Sequence, residues 1–157
     1  MRALTINHVS VSAIEMDESL RFYTEVLGGE RIPSPDFGMH VEWLRFGAMQ
    51  LHLFKRGDEA PMFHHFGFTV DDFVGCFERA RAIGALDDGF FDGSIHELPD
   101  GTLQLYLRDP AGNLVEINGA PLDEQGLARA REAIPQLKRL DEVRPQAGDH
   151  ARARLLG

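Results

Sequence analysis

The sequence predicts an α+β fold of two tandem β-α-β-β-β units followed by a helical tail. Three observations predict it. Strand-like and helix-like segments recur in the same order on either side of a short polar stretch. The spacing recurs as well: twenty residues separate His8 from the helix-stopping Gly28, and nineteen separate His65 from Gly84. Five strand-like segments carry an apolar face opposite a polar or small one, because successive strand side chains point to opposite sides. Such faces suit a curved mixed sheet, a cup, with a polar concave side.

The first unit spans about residues 4–56. Residues 4–12, LTINHVSVS, alternate and are rich in β-branched side chains, so they read as a strand. In MDESLRFYTEVLGG, Asp17 is the expected N-cap. Leu20, Tyr23 and Leu27 share a helical face, and Gly28 with Gly29 ends the helix. Strands are expected near 29–34, 39–46 and 49–55, the last two joined by the two-residue turn Gly47-Ala48. Residues 56–62, RGDEAPM, form a polar linker.

The second unit spans about 63–120. HHFGFTV reads as a strand and DDFVGCFERARAIG as a helix capped by Asp71 or Asp72. Weaker strand signals lie near 87–91 and 94–98, then clear ones at 102–108 and 113–119, split by the turn Asp109-Pro110-Ala111-Gly112. Residues 1–120 thus form the expected domain and 121–157 the tail. In the tail, Leu127, Ile134, Leu137 and Leu140 are candidate packing positions and Pro135 should break or restart the helix. The last dozen residues lack periodicity and are expected to be mobile.

Composition narrows the function. Apolar residues make up 43% of the 157, enough for a packed core. Sixteen basic against twenty-five acidic residues give a net charge of −9, which disfavours nucleic-acid backbones. Cys76 is the single cysteine, so neither a disulfide framework nor a cysteine-based zinc site is expected. No apolar run approaches the ~20 residues that cross a bilayer. The N-terminal stretch lacks an apolar signal-peptide region. A cytoplasmic protein that binds neither nucleic acid nor membrane is the expectation.

The polar faces gather the candidate chemistry. Ile6, His8, Ser10 and Ser12 share one side of the first strand, and Gln50 with His52 one side of the fourth. His65, Gly67 and Thr69 share a side, as do Gln104, Tyr106 and Arg108, and Leu114, Glu116 and Asn118. A single strand histidine is more often a hydrogen-bonded structural residue than a ligand. Equivalence between the units changes that balance. His8 and His65 hold equal places in the first strand of each unit, and His52 and Glu116 in the last. Three imidazoles and a carboxylate, if brought together, suit a divalent first-row metal. Nitrogen ligands at ~2.0–2.1 Å would suit zinc, and a two-His-one-carboxylate subset would suit Fe(II).

The stretches NHVSVSAIEMDESLRFYTEVLG, HHFGFTVDDF and LYLRDPAGNLVEING carry a resemblance. Their most specific part is the DPxGxxxE element, Asp109 to Glu116. Over about residues 4–119 the chain resembles the vicinal oxygen chelate superfamily. That group includes glyoxalase I, methylmalonyl-CoA epimerase, fosfomycin-resistance proteins, extradiol dioxygenases and bleomycin-resistance binders. The resemblance implies metal ligation by His8, His52, His65 and Glu116, with a divalent transition metal such as Zn, Ni, Fe, Mn or Co. His64 should point to the other face. The chain departs from glyoxalase I at His52, where that enzyme carries a glutamate that is both ligand and proton-shuttling base. The implied activity is that of a metal-dependent, glyoxalase-like lyase or isomerase acting on a small oxygen-rich substrate. The alternatives are an Fe(II) extradiol-type dioxygenase and a non-enzymatic small-molecule binder. Glu116 is the expected proton acceptor and His52 the alternative base. Tyr106 is a candidate hydrogen-bond donor, with Ser10 and Arg108 as weaker candidates. One-pair members commonly complete each site with two chains. A homodimer is therefore expected, with His8 and His52 of one subunit meeting His65 and Glu116 of the other.

Overall fold

The computed structural model describes residues 5–36, 38–57, 60–62, 64–89 and 93–140. In chain order it contains β1 (His8–Ala13), α1 (Met16–Arg21), a π-helical turn (Phe22–Val26), β2 (Glu30–Ile32), β3 (Val41–Phe46) and β4 (Met49–Lys55). The second unit gives β5 (His65–Val70), α2 (Phe73–Ala82), β6 (Ile95–Glu97), β7 (Leu103–Arg108) and β8 (Leu114–Gly119). Helix α3 (Glu124–Ala133) and strand β9 (Leu137–Arg139) follow. One sheet has the order β1-β4-β3-β2 and the other β5-β8-β7-β6-β9. In each, the first strand of the unit pairs parallel with the last, through a crossover that contains the helix. The fold is the α+β arrangement of two β-α-β-β-β units.

The helices form where the sequence supplies both a start and an apolar stripe. Helix α2 begins at Asp72, whose carboxylate accepts the Gly75 amide hydrogen at 2.8 Å. Phe73, Cys76, Phe77 and Ala80 recur on one face and are all buried. Burying each phenylalanine is worth roughly 2–3 kcal/mol of transfer free energy. Gly28 and Gly84 both sit at φ 70°, so each unit ends its helix with a glycine in the left-handed region. Gly29 is needed for a different reason. A Cβ there would lie 2.9 Å from the Tyr23 carbonyl oxygen, with the Phe46 ring also in its way.

Several expectations need correction. Asp17 is not the cap of the first helix. Glu15 holds that place without a side-chain bond, and Asp17 lies in the first turn. The helix then widens to π geometry where the Thr24 hydroxyl donates to the Leu20 carbonyl at 2.8 Å. Near 87–91 the described residues give only an isolated bridge, Leu86 to Leu107, and residues 90–91 lie outside them. Of the two outcomes expected at Pro135, the structure has the break: the tail does not restart as a helix. A residue before proline is driven out of the α region, and Ile134 is accordingly at φ −125°, ψ 81°. The chain then joins β6 in parallel register as β9. Ile134 is buried, whereas Leu140 is exposed and does not pack. The final residues, 141–157, lie outside the described set.

The two units touch through a few specific contacts. The Tyr23 hydroxyl, fully buried, donates to Asp109 Oδ2 at 2.8 Å. Asn113 Nδ2 donates to the Ser12 carbonyl at 2.8 Å, and the rings of Phe46 and Phe68 meet at 4.6 Å. The turn Asp109-Pro110-Ala111-Gly112 thus does more than reverse the chain: Asp109 Oδ1 accepts the Ala111 and Asn113 amides, while Oδ2 reaches into the first unit. Strands β1 and β5 end their respective sheets. Val9, Phe46, Phe66 and Phe68 help to line a cleft of about 710 Å³.

Candidate metal centre

Sheet geometry fixes which side chains meet. In the first sheet the parallel register puts Ser10 beside His52 and His8 beside Gln50. The two-residue turn after Phe46 sets the antiparallel register, which places Trp43 beside His52 on the other side. Three rings then stand in a row across three strands. His8 stacks on His52 at 4.5 Å and 16°, and Trp43 stacks on His52 at 4.1 Å and 5°. His8 Nδ1 lies 2.6 Å from Asn7 Oδ1, and His52 Nε2 lies 2.9 Å from Gln50 Oε1. An amide oxygen only accepts, so each imidazole donates through that nitrogen and keeps a lone pair on the other. Burial lowers the His52 pKa, and the neighbouring His8 lowers it further. Both effects favour the neutral imidazole that ligates metals.

In the second sheet β8 lies between β5 and β7, so Glu116 has neighbours on both sides. His65 Nε2 is 3.1 Å from Glu116 Oε2. Tyr106, directly opposite Glu116, donates to Oε2 at 3.2 Å. Gln104 and Asn118 each donate to Oε1 at 2.9 Å. The Tyr106 ring also meets His65 edge-on at 5.8 Å. Burial by itself raises the Glu116 pKa. The bonds from Asn118, Gln104 and Tyr106, with the field of His65, outweigh burial and hold it below the ordinary value. Burial and the adjacent Glu116 push Tyr106 up to about 12, so its hydroxyl keeps its proton at neutral pH.

The four sequence-selected residues therefore stand as two pairs, one on each sheet. Among the described residues no three His, Cys, Asp or Glu side chains come together as a metal-holding group. Each pair nevertheless has suitable chemistry. Two donors ~2.1 Å from one ion lie about 3.0 Å apart at an octahedral right angle and about 3.4 Å apart at a tetrahedral angle. The 3.1 Å between His65 Nε2 and Glu116 Oε2 lies between those two separations. Oε1 is taken up by two amide donors, which leaves Oε2 as the oxygen facing His65. Arg108 is engaged elsewhere: it donates to Asp87, to the Gly112 carbonyl and to the Met62 carbonyl. Ser10 is exposed.

Four residues around the pairs were not singled out from the sequence: Trp43, Gln50, Gln104 and Asn118. Gln50, Gln104 and Asn118 do sit two residues from His52, Tyr106 and Glu116, on the same polar faces. The short turn at Gly47-Ala48 would have placed Trp43 by counting back from His52. What the sequence lacked was a reason to join these positions to the ligands.

Residues 5–117 match the Glyoxalase/Bleomycin resistance protein/Dioxygenase superfamily. The chain is 27% identical over 124 residues to the uncharacterized protein YwbC of Bacillus subtilis strain 168, covering 73% of this chain and 96% of YwbC. Among solved structures, oxidase ChaP-H2 is 28% identical with a TM-score of 0.62, covering 76% of this chain and 96% of ChaP-H2. Lactoylglutathione lyase from Agrobacterium tumefaciens shares the fold at 23% identity and a TM-score of 0.56, over 76% of this chain and 96% of the lyase.

Proposed function

Because the chain belongs to the Glyoxalase/Bleomycin resistance protein/Dioxygenase superfamily, we propose that it is a metal-dependent lyase or isomerase acting on a small oxygen-rich substrate. The observation that carries this reading is the His65–Glu116 pair at 3.1 Å, with the carboxylate held by three further donors. A carboxylate fixed in that way is preorganised for ligation and cannot rotate to seek other partners. His65 and Glu116 would hold the metal from the second sheet, and His8 and His52 from the first sheet of a second copy. The separation of the two pairs within one chain supports this sharing. A homodimer follows from it.

A divalent transition metal at this place supplies a Lewis acid for vicinal substrate oxygens. The chain's own residues supply the rest. Glu116 would accept the substrate proton on Oε2 once that oxygen is off the metal, because Oε1 is already occupied by two amides. Tyr106 keeps its proton and donates, so it orients Glu116 or a substrate oxygen and does not act as a base. His52, kept neutral by burial, is the alternative base.

Metal analysis of protein purified without chelator tests the reading. Near-stoichiometric transition metal, or its uptake on titration, is the expected result. Protein that neither carries metal nor takes it up refutes a metal-dependent activity and leaves a binding role. The likeness to an oxidase, ChaP-H2, favours one second reading: Fe(II)-dependent oxygen chemistry on His8, His65 and Glu116. Bound iron together with oxygen consumption on catechols would select it over the lyase reading.

A further inference from the structure

The polar face of the second sheet does not stop at Glu116. Residues directly opposite in a sheet share a face. The pairings Asn118–Gln104, Gln104–His96 and His96–Lys138 carry one row from β8 across β7 and β6 to β9. Lys138 comes from the segment after Pro135 that the sequence reads as helix. As a strand, it delivers an ammonium group to the same face as the candidate centre.

That ammonium leans in a definite direction. Lys138 Nζ donates to Ser94 Oγ at 2.8 Å. Ser94 lies two residues before His96, and it lines a small cavity together with Tyr106. The lysine therefore points along the sheet toward the row that holds Tyr106 and Glu116. Two strand spacings of ~4.8 Å put its end roughly 10 Å from Glu116. Among the described residues its bonding partner is a neutral hydroxyl rather than a carboxylate. Arg108, another cation on this face, is held by Asp87 at 2.7 Å. The chain as a whole carries −9, so a local cation here opposes the general field.

We infer that Lys138 and Ser94, beside His96 in the same row, form an anion subsite, and that the substrate carries a carboxylate or phosphate group about 10 Å from the oxygens presented to His65 and Glu116. The inference rests on the proposed function for the second half of that statement. The subsite itself stands on the register and on the Lys138–Ser94 contact. An ammonium that already holds one hydroxyl keeps two further protons for an anionic oxygen. Ser94 then fixes the lysine's rotamer, so less entropy is lost when the anion arrives.

The test titrates metal-free full-length protein with inorganic phosphate and, separately, with glutarate, following the ring resonances of His96 by NMR. Saturable shifts are expected in the unaltered protein and in Lys138→Arg. Lys138→Met and Lys138→Glu should weaken binding by about tenfold or more, the scale of one lost charge-assisted contact. The more tightly bound of the two anions identifies the group. Shifts that persist undiminished in Lys138→Glu, or that never saturate, overturn the subsite. Melting temperature checks that β9 stays in place in each variant. Metal uptake is measured in the same proteins. A chain that binds phosphate through Lys138 but takes up no metal would refute the proposed function while leaving the subsite standing.

Discussion

The carboxylate of Glu116 is where sequence, packing and chemistry meet. Its position in a strand with one apolar and one polar face was legible from alternation alone. Its ionisation is a matter of neighbours, because burial and hydrogen bonding pull in opposite directions. The native pKa lies below the ordinary 4.5, so the stabilising contribution of the ionised group is present above that value. It is lost as pH falls through the native pKa. Gln104→Leu combined with Asn118→Leu removes two of the donors and leaves burial. The Glu116 titration midpoint, read from its carboxyl carbon by NMR, should then rise, with Tyr106 and His65 still opposing burial. An unchanged midpoint would mean that these amides do not control the group. The same double variant should weaken metal uptake by about 10- to 100-fold, the usual effect of losing partners of a ligand. Trp43 offers a second check, since it is the single tryptophan and stacks on His52. Metal titration should alter its fluorescence if His52 is engaged, and His52→Ala should remove that response.

Among the elements, β9 and α3 show how local pattern loses to tertiary context. Residues 122–143 carry a helical pattern, and α3 follows it as far as Ala133. Beyond that point, the unpaired edge of β6 offers a ladder that a restarted helix could not match. Glu97 fastens the arrangement. It is buried, Arg131 donates to both of its oxygens, and Arg139 lies 3.8 Å away. The Arg131 bonds hold its pKa below the ordinary 4.5, so this tie is complete above that pH and loosens as pH falls through the native value. Glu97→Gln should lower the melting temperature at neutral pH, by an amount corresponding to about 1 kcal/mol, and much less at acid pH. Equal losses at both would show that the charge is not what holds β9. Truncation after Ala133 should uncover the β6 edge and promote self-association, measurable by light scattering.

At the scale of the whole molecule, the two units are joined through a buried pair. Tyr23 belongs to the first unit and Asp109 to the second, and each keeps the other satisfied in the interior. Burial raises the Asp109 pKa above 3.8 despite its hydrogen bonds, so this group favours folding most at acid pH and loses that advantage as pH rises through the native pKa. Tyr23→Phe should destabilise the fold by about 1–3 kcal/mol, because a buried acceptor loses a donor. Chemical denaturation measures this directly. The proposed sharing of sites between subunits has a sharper test. Chains carrying His8→Ala with His52→Ala are mixed with chains carrying His65→Ala with Glu116→Ala. If two chains build each centre, every mixed dimer regains one intact site, and metal uptake returns on mixing. If one chain builds the whole centre, mixing restores nothing.

The period of each strand, the duplication of the unit and the glycines that end both helices are legible in the sequence, since each is a local property of the chain. The sequence thereby put His8, His52, His65 and Glu116 on polar faces at equivalent places. It could not determine which faces meet, because that depends on strand order and register between residues far apart in the chain. Strand order and register make Gln104, Tyr106 and Asn118 converge on Glu116, set Trp43 and His8 on either side of His52, and leave the four ligand-type residues as two pairs. Tertiary context also decided the fate of residues 137–139, where an open sheet edge outweighed helical pattern and brought Lys138 onto the face of the candidate centre. Hydrogen-bonding capacity at a sheet edge is a property of the assembled fold, and no window of sequence contains it.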